Sequence, residues 1–265
     1  MVKLSVMTFN LRVDIAEDGE NAWPNRVEKV AEVVKSSDPC IIGTQEGLIS
    51  MISDLQSDLP GYRVIGEGRA GGKEDEHCAI FYKEKEVECV NQGQFWLSET
   101  PEKANSVSWE SACPRICTWG EFRSLSEPSR HFVVYNTHLD HVSQQAREQG
   151  IQLILEKIRG RSNKEAPVIL MGDMNAGPDN KAIRMIRDSH TVEDVSLNFT
   201  DVYSILQNPP GATFHDFTGN KEGQPIDYIF VSSNATVLEA EVNRCEINGG
   251  YPSDHYPLTA QFMIL

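Results

Sequence analysis

Apolar runs that stop at acids, amides or histidines constrain this chain more than any other feature. The pattern appears at Thr8-Phe9-Asn10, Thr44-Gln45-Glu46, Asn136-Thr137-His138 and Gly172-Asp173-Met174-Asn175. Twice the polar group stands at the entry to a run instead, at Pro225-Ile226-Asp227-Tyr228 and Ser253-Asp254-His255. Short apolar runs bounded in this way are the signature of buried strands. If the bounding residues gather along one sheet edge, they form a cluster of carboxylates, amides and imidazoles.

The remaining periodicities place helices between the first strands. Residues 3–9 alternate as a strand. Val27, Val30, Ala31 and Val34 then repeat at the helical period, with Asn25 as N-cap and Glu28 completing a capping-box arrangement. A short strand over 40–44 leads into a second helix marked by Leu48, Met51, Ile52, Leu55 and Leu59 and closed by Pro60-Gly61. Strands are expected over 62–65, 78–82, 87–90 and 94–97. The glycine-rich, charged stretch 66–76 reads as a mobile loop. A long connection over 98–114 precedes paired strands at 116–122 and 132–137. A helix over 142–159, a strand over 167–171, and strands over 226–231, 237–242 and 258–264 complete the chain. The order β-α-β-α followed by several strands predicts an α/β fold in which two mixed sheets pack together with helices outside. No linker or repeat divides residues 1–265, so a single domain is expected.

The formal charge of −15 argues against a general nucleic-acid binder, because phosphate contacts would work against net repulsion. A bound metal and a few local arginines can still reverse the potential inside a cleft. No apolar run reaches the roughly 18–20 residues that span a bilayer, and the N-terminus enters a strand pattern at once. A soluble, cytoplasmic protein with reduced cysteines is therefore expected. Cys113 and Cys117 have no second pair to complete a zinc site.

Those residue types suit phosphate-ester hydrolysis with a hard metal. Mg²⁺ prefers carboxylate and water oxygens, and commonly takes one or two protein carboxylates. The metal polarises phosphoryl oxygens, a separate acid orients or deprotonates water, and amide or imidazole donors stabilise the developing charge. Singly, Glu46 reads equally well as a helix cap and Asp173 and Asn175 as turn formers. His138 or His255 alone reads as a structural histidine. Asp227 between Ile226 and Tyr228 is different, since an acid inside an apolar strand requires a partner. Six such boundaries in one chain favour a shared site.

Taken in order, Met7-Thr8-Phe9-Asn10, Gly43-Thr44-Gln45-Glu46, Asn136-Thr137-His138-Leu139, Gly172-Asp173-Met174-Asn175, Ile226-Asp227-Tyr228 and Ser253-Asp254-His255 resemble the motifs of the endonuclease/exonuclease/phosphatase superfamily. The resemblance implies a four-layer sandwich of two packed mixed sheets flanked by helices. It implies Mg²⁺ as cofactor, with Mn²⁺ able to substitute. It also implies roles: Glu46 as main metal ligand with Asn10 beside it, and Asp254 in support of the metal site. Asp173 would position or deprotonate the attacking water and Asn175 would hold the phosphate. His255 would contact the phosphoryl group, oriented by Asp227. His138 would be a second phosphate contact or the proton donor to the leaving group.

Two details bear on the branch. Some repair endonucleases of the superfamily carry an acid where this chain has Arg12, which puts a second metal in doubt. Trp23 and Arg26 resemble a Trp-x-x-Arg element of the deadenylase and nocturnin-like branch. With Arg115, whose planar fork suits phosphate oxygens, they are the expected substrate contacts. The expected activity is that of a phosphodiesterase or phosphatase, a 3′–5′ RNA exonuclease among the readings. A phosphatase of small phosphorylated metabolites and a catalytically silent binding module are the alternatives. A single-stranded RNA 3′ end, a nucleotide or a sugar phosphate fits as substrate. Long duplex DNA and membranes are not expected partners.

Overall fold

Leu4 and Val6 of the first strand face one apolar cluster, while Met7 and Phe9 face another. This two-residue alternation defines the layering. In the computed structural model, which describes residues 1–189 and 197–264, β1 (Val2–Asn10) runs parallel to β2 (Ile41–Gln45) and antiparallel to β12 (Leu258–Ile264). Between β2 and β12 the chain forms β3 (Tyr62–Ile65), β4 (Ile80–Lys83), β5 (Val87–Trp96), β6 (Ile116–Ser124), β7 (His131–His138), β8 (Val168–Asp173), β9 (Phe199–Asp201), β10 (Asp227–Ser232) and β11 (Ala235–Val242). They build two six-stranded mixed sheets, ordered β11-β12-β1-β2-β4-β3 and β5-β6-β7-β8-β10-β9.

Helices cover the outer faces. α1 (Val27–Ser37) and α2 (Ile49–Asp58) cover the first sheet through Val30, Val34, Ile52 and Leu55. α3 (Gln144–Gly160) and α4 (Lys181–Arg187) cover the second through Ile151, Ile154, Ile158 and Ile183. Each such side chain contributes roughly 1.5–3 kcal/mol when fully buried. The result is the expected α/β sandwich of four layers. Among the described residues, no helix is long and apolar enough to cross a membrane.

Near the ends of β2 and β7 a polar bridge interrupts the apolar core that joins the two sheets. Gln45 Nε2 donates to Asn136 Oδ1 at 2.7 Å, and Asn136 Nδ2 donates across the interface to the Thr44 and Ala79 carbonyls at 2.9 Å each. Gly43 makes room for this bridge, since a Cβ there would sit 2.7 Å from Asn136 Oδ1. This buried network ties β2 of one sheet to β7 of the other, although Gln45 Oε1 has no hydrogen-bond partner among the described residues.

Several local expectations differ from the structure. Trp23–Asn25 form a single 3-10 turn, and α1 begins after Arg26 without a side-chain cap, so Asn25 and Glu28 make no capping box. Residues 87–97 hold one strand, β5, with a register shift between Cys89 and Asn91 where two strands were expected. The helix expected from 142 starts at Gln144, because Ser143 caps it by accepting from the Ala146 amide. α4 and β9 were not anticipated; seven and three residues are too few to carry a period.

The loop over 66–76, expected to be mobile, is tied down. Gly68 N–H reaches the Gly72 carbonyl at 2.8 Å and Arg69 N–H the Glu76 carbonyl at 2.9 Å. Arg69 pairs with Asp75 at 2.9 Å and Glu76 at 2.7 Å, and Trp96 Nε1 donates to the Arg69 carbonyl at 2.7 Å. Glycine content suggests freedom, but these partners arrive from β5 and from the loop itself.

Candidate active site

Registers bring the polar strand ends to one edge. Asn10 pairs with Gln45 across β1 and β2, and His138 with Asp173 across β7 and β8. Asp227 opens β10 directly opposite Asp173. Gly172 permits the closeness of β7 and β8: its φ is +143°, and a Cβ would lie 1.9 Å from the Thr137 carbonyl oxygen. Arg12, Glu46 and Asn175, each just past a strand end, adopt positive φ of 57°, 63° and 46°. Left-handed backbone at non-glycine residues is costly, and its recurrence here aims side chains into one cleft.

Asn10 spaces the acids. Its Nδ2 donates to Glu46 Oε1 at 2.9 Å and to Asp173 Oδ2 at 3.0 Å, while its Oδ1 accepts from the Arg12 amide at 3.0 Å. The second Glu46 oxygen accepts from the Val13 amide at 2.9 Å. Asp173 Oδ1 takes the Asn175 amide at 2.9 Å. His138 Nε2 lies 3.4 Å from Asp173 Oδ2 and 2.9 Å from Asn175 Nδ2. His255 Nδ1 pairs with Asp227 Oδ2 at 2.9 Å, and its Nε2 lies 3.8 Å from Asp173 Oδ2. Asp254 sits 3.8 Å from the Arg12 guanidinium, which forms a two-pronged pair with Asp18.

Burial and crowding separate the protonation behaviour of these groups. Burial first, and then the Asp227 charge, push the Asp173 carboxyl up. Burial opposes a charged His255, but Asp227, Asp173 and Asp254 outweigh it and raise its pKa. Burial drives His138 well below the ordinary histidine value, with Arg115 and His255 adding to the effect, so it is neutral. One edge thus holds a cationic imidazole, a neutral imidazole and an acid poised to accept a proton.

The site fits a divalent cation. Ligand atoms of Glu46, His138 and Asp173 lie within 4.8 Å of one another, as do those of Asp173, Asp227 and His255. Asp227 Oδ1 is buried with no hydrogen-bond partner among the described residues. Buried carboxylates crowded in this way are unfavourable without a compensating charge, and an oxygen-rich set is what a hard dication selects.

The cleft encloses about 540 Å³ and includes Glu46, His138, Asp173, Asn175, Asp254 and His255 in its walls. Arg115 also lines it, 6 % exposed, with its Nη2 3.0 Å from His141 Nδ1 and its Nε 3.7 Å from Asp140 Oδ2, without a hydrogen-bond partner among the described residues. Nearby Asp140 is committed to the amides of Ala112, Val142 and Ser143.

Trp23 and Arg26 are placed differently from the substrate contacts expected of them. Arg26 is 1 % exposed, and its guanidinium donates to the carbonyls of Leu11, Arg12 and Pro252 at 2.6, 3.0 and 2.8 Å. Trp23, buried beneath it, donates Nε1 to Asp54 at 3.0 Å. Both hold the chain behind the site, and neither lines the cleft. Sequence reading in turn passed over Arg69, Glu76, His141 and Phe214, which do line it. A signal existed for Glu76: with His77 it is a polar pair at the entry to an antiparallel strand, as Asp254-His255 is before β12.

An oxygen-rich, metal-fitting cluster at one edge of a two-sheet sandwich defines a metal-dependent phosphoester hydrolase. Residues 7–255 match the model of the Endonuclease/Exonuclease/phosphatase family, and the chain belongs to that family. It is similar to an endonuclease/exonuclease/phosphatase family protein of Bacteroides thetaiotaomicron, with 31 % identity and a TM-score of 0.91 over 99 % of this chain and 98 % of that one. A mannosyl-6-phosphatase of the same organism gives 32 % identity and a TM-score of 0.90, over 98 % of this chain and all of that one. Nocturnin of Xenopus laevis is 27 % identical over 70 % of this chain, which spans about half (48 %) of that protein's length.

Proposed function

We propose that this chain is a Mg²⁺-dependent phosphatase of small phosphorylated metabolites, with a sugar phosphate as substrate. The observation that carries the reading is the small cleft that joins the acid cluster to the buried, incompletely bonded Arg115. It admits one phosphate group and a modest leaving group. The full-length similarity to a mannosyl-6-phosphatase supports it. The lean toward the deadenylase and nocturnin-like branch has less behind it, because Arg26, half of its Trp-x-x-Arg element, is spent on main-chain carbonyls. A 3′–5′ RNA exonuclease is the second reading, favoured by the likeness to nocturnin.

Glu46 is the main Mg²⁺ ligand, with Asn10 and Asp254 alongside, and Mn²⁺ substitutes. When bound, the ion polarises the phosphoryl oxygens and screens developing charge. A cationic Arg12 beside Asp254 disfavours a second ion there. Asp173 takes the proton of the water that attacks phosphorus in line with the ester oxygen. The new bond is phosphorus to water oxygen; the bond that breaks joins phosphorus to the sugar oxygen, which leaves as the alcohol by taking up a proton from solvent water, to which Asp173 returns the proton it accepted. His255, kept cationic and oriented by Asp227, faces the phosphoryl oxygens. Asn175 and Arg115 supply further donors. Neutral His138, anchored by Asn175, is a second contact to the phosphate or the ester oxygen. The whole chain acts as one domain.

The test offers purified protein with Mg²⁺ or Mn²⁺ hexose 6-phosphates, nucleotides and a 3′-labelled oligoribonucleotide. Phosphate release from a hexose phosphate should be the most efficient reaction. Preferential shortening of the oligoribonucleotide would replace this reading with the exonuclease.

A further inference from the structure

We propose that the Arg69–Glu76 ion pair reads the hydroxyl groups of the esterified sugar, and so sets which phosphate monoesters the site accepts. The inference rests on the phosphatase reading above. Both residues line the cleft beside Glu46, His138 and Arg115. Their side chains are 16 % and 18 % exposed, so each keeps only an edge open.

What that edge offers follows from the pairing. Arg69 Nη2 lies 2.7 Å from Glu76 Oε1, and Nη1 donates to Oε2 at 3.1 Å, a parallel two-pronged contact. The guanidinium is further occupied by Asp75 at 2.9 Å and the Cys113 sulfur at 3.4 Å. Glu76 Oε2 has received one arginine hydrogen and Oε1 stands in ion-pair contact with Nη2, so both oxygens retain lone pairs for further donors. The pair therefore presents two acceptors in one plane and little spare donor capacity. Hydroxyl groups on neighbouring carbons can donate to both. A second phosphate or a carboxylate, which only accepts, would meet the carboxylate and be repelled. A carboxylate edge whose arginine is already shared with Asp75 selects a polyol over a polyanion.

The pair is also held at a fixed distance from the phosphate end. His77, next to Glu76, donates its amide to the Gly47 carbonyl at 2.9 Å, and Gly47 follows Glu46 directly. Its ring Nδ1 contacts the Gly47 and Asp75 carbonyls at 3.1 and 3.0 Å. Gly68 lets the loop fold this tightly, for a Cβ there would lie 1.8 Å from the Glu74 carbonyl oxygen. A recognition element ordered before binding loses little entropy when the substrate arrives.

The experiment compares wild type, Glu76→Gln and Arg69→Lys on a hexose 6-phosphate, its deoxy analogues and p-nitrophenyl phosphate, which carries no sugar hydroxyl. Wild type should discriminate against at least one deoxy analogue. In Glu76→Gln the ratio of kcat/KM for the hexose phosphate over the aryl phosphate should fall about tenfold or more, chiefly through KM. The deoxy penalty should shrink with it. Parallel loss on both substrates in a variant with unchanged melting would make the pair a brace and overturn the proposal. Should the variants fail to fold, equal treatment of the parent and every deoxy sugar by wild type overturns it alone. If wild type ignores hexose phosphates and trims RNA, the phosphatase reading itself has failed, before any variant is measured.

Discussion

His255 Nδ1 lies 2.9 Å from Asp227 Oδ2 inside the sandwich, although 28 residues and an intervening strand separate the two in the chain. The pairing keeps the imidazole protonated against its burial and turns Nε2 toward Asp173. Asp227→Asn retains the shape and an acceptor but removes the charge. Turnover should fall roughly 10²-fold or more, since the imidazole loses its cationic character or is misoriented by the amide. Steady-state kinetics beside a melting curve checks this; near-normal turnover would remove the pair from the mechanism.

Glu46 and Asp173 share one donor, Asn10 Nδ2, yet are expected to fail differently. Glu46→Gln should shift the Mg²⁺ activation curve to much higher concentration while the fold stays intact. Asp173→Asn should keep metal dependence but lower turnover by roughly 10²-fold or more, the order for a lost general base. Chelation of the wild type should abolish activity, and added Mg²⁺ or Mn²⁺ should restore it. Identical metal titrations for wild type and Glu46→Gln would move the main ligand elsewhere.

Arg26 binds three backbone carbonyls, those of the neighbours Leu11 and Arg12 and of the distant Pro252. Arg26→Met removes the charge and leaves those oxygens without their donor. Unfolding free energy should drop by about 3 kcal/mol, because each buried unsatisfied acceptor costs about 1–3 kcal/mol. Urea denaturation measures it. A variant of full stability with impaired substrate binding would instead return Arg26 to the role of a substrate contact.

Long duplex DNA should not be a substrate. The chain carries a charge of −15, and its arginines at the cleft are few. Duplex affinity normally rests on many basic contacts and declines steeply with salt. Supercoiled plasmid should stay intact at physiological ionic strength; efficient nicking there would falsify the charge argument.

The amino-acid sequence alone determined the two-sheet sandwich and the chemical inventory of the strand ends. Apolar alternation fixes which face of a strand is buried. A polar residue that interrupts such a run, as Asp227 does, announces a partner wherever it lies. Tertiary structure decided what depends on distant chain. Trp-x-x-Arg reads as a substrate contact until Leu11 and Pro252, the latter 226 residues from Arg26, enclose the guanidinium with carbonyls. Glycine-rich residues 66–76 read as mobile until Arg69 finds Asp75 and Glu76 and Trp96 binds its carbonyl. Local composition records the intrinsic freedom of a segment; the partners that remove that freedom come from elsewhere in the fold.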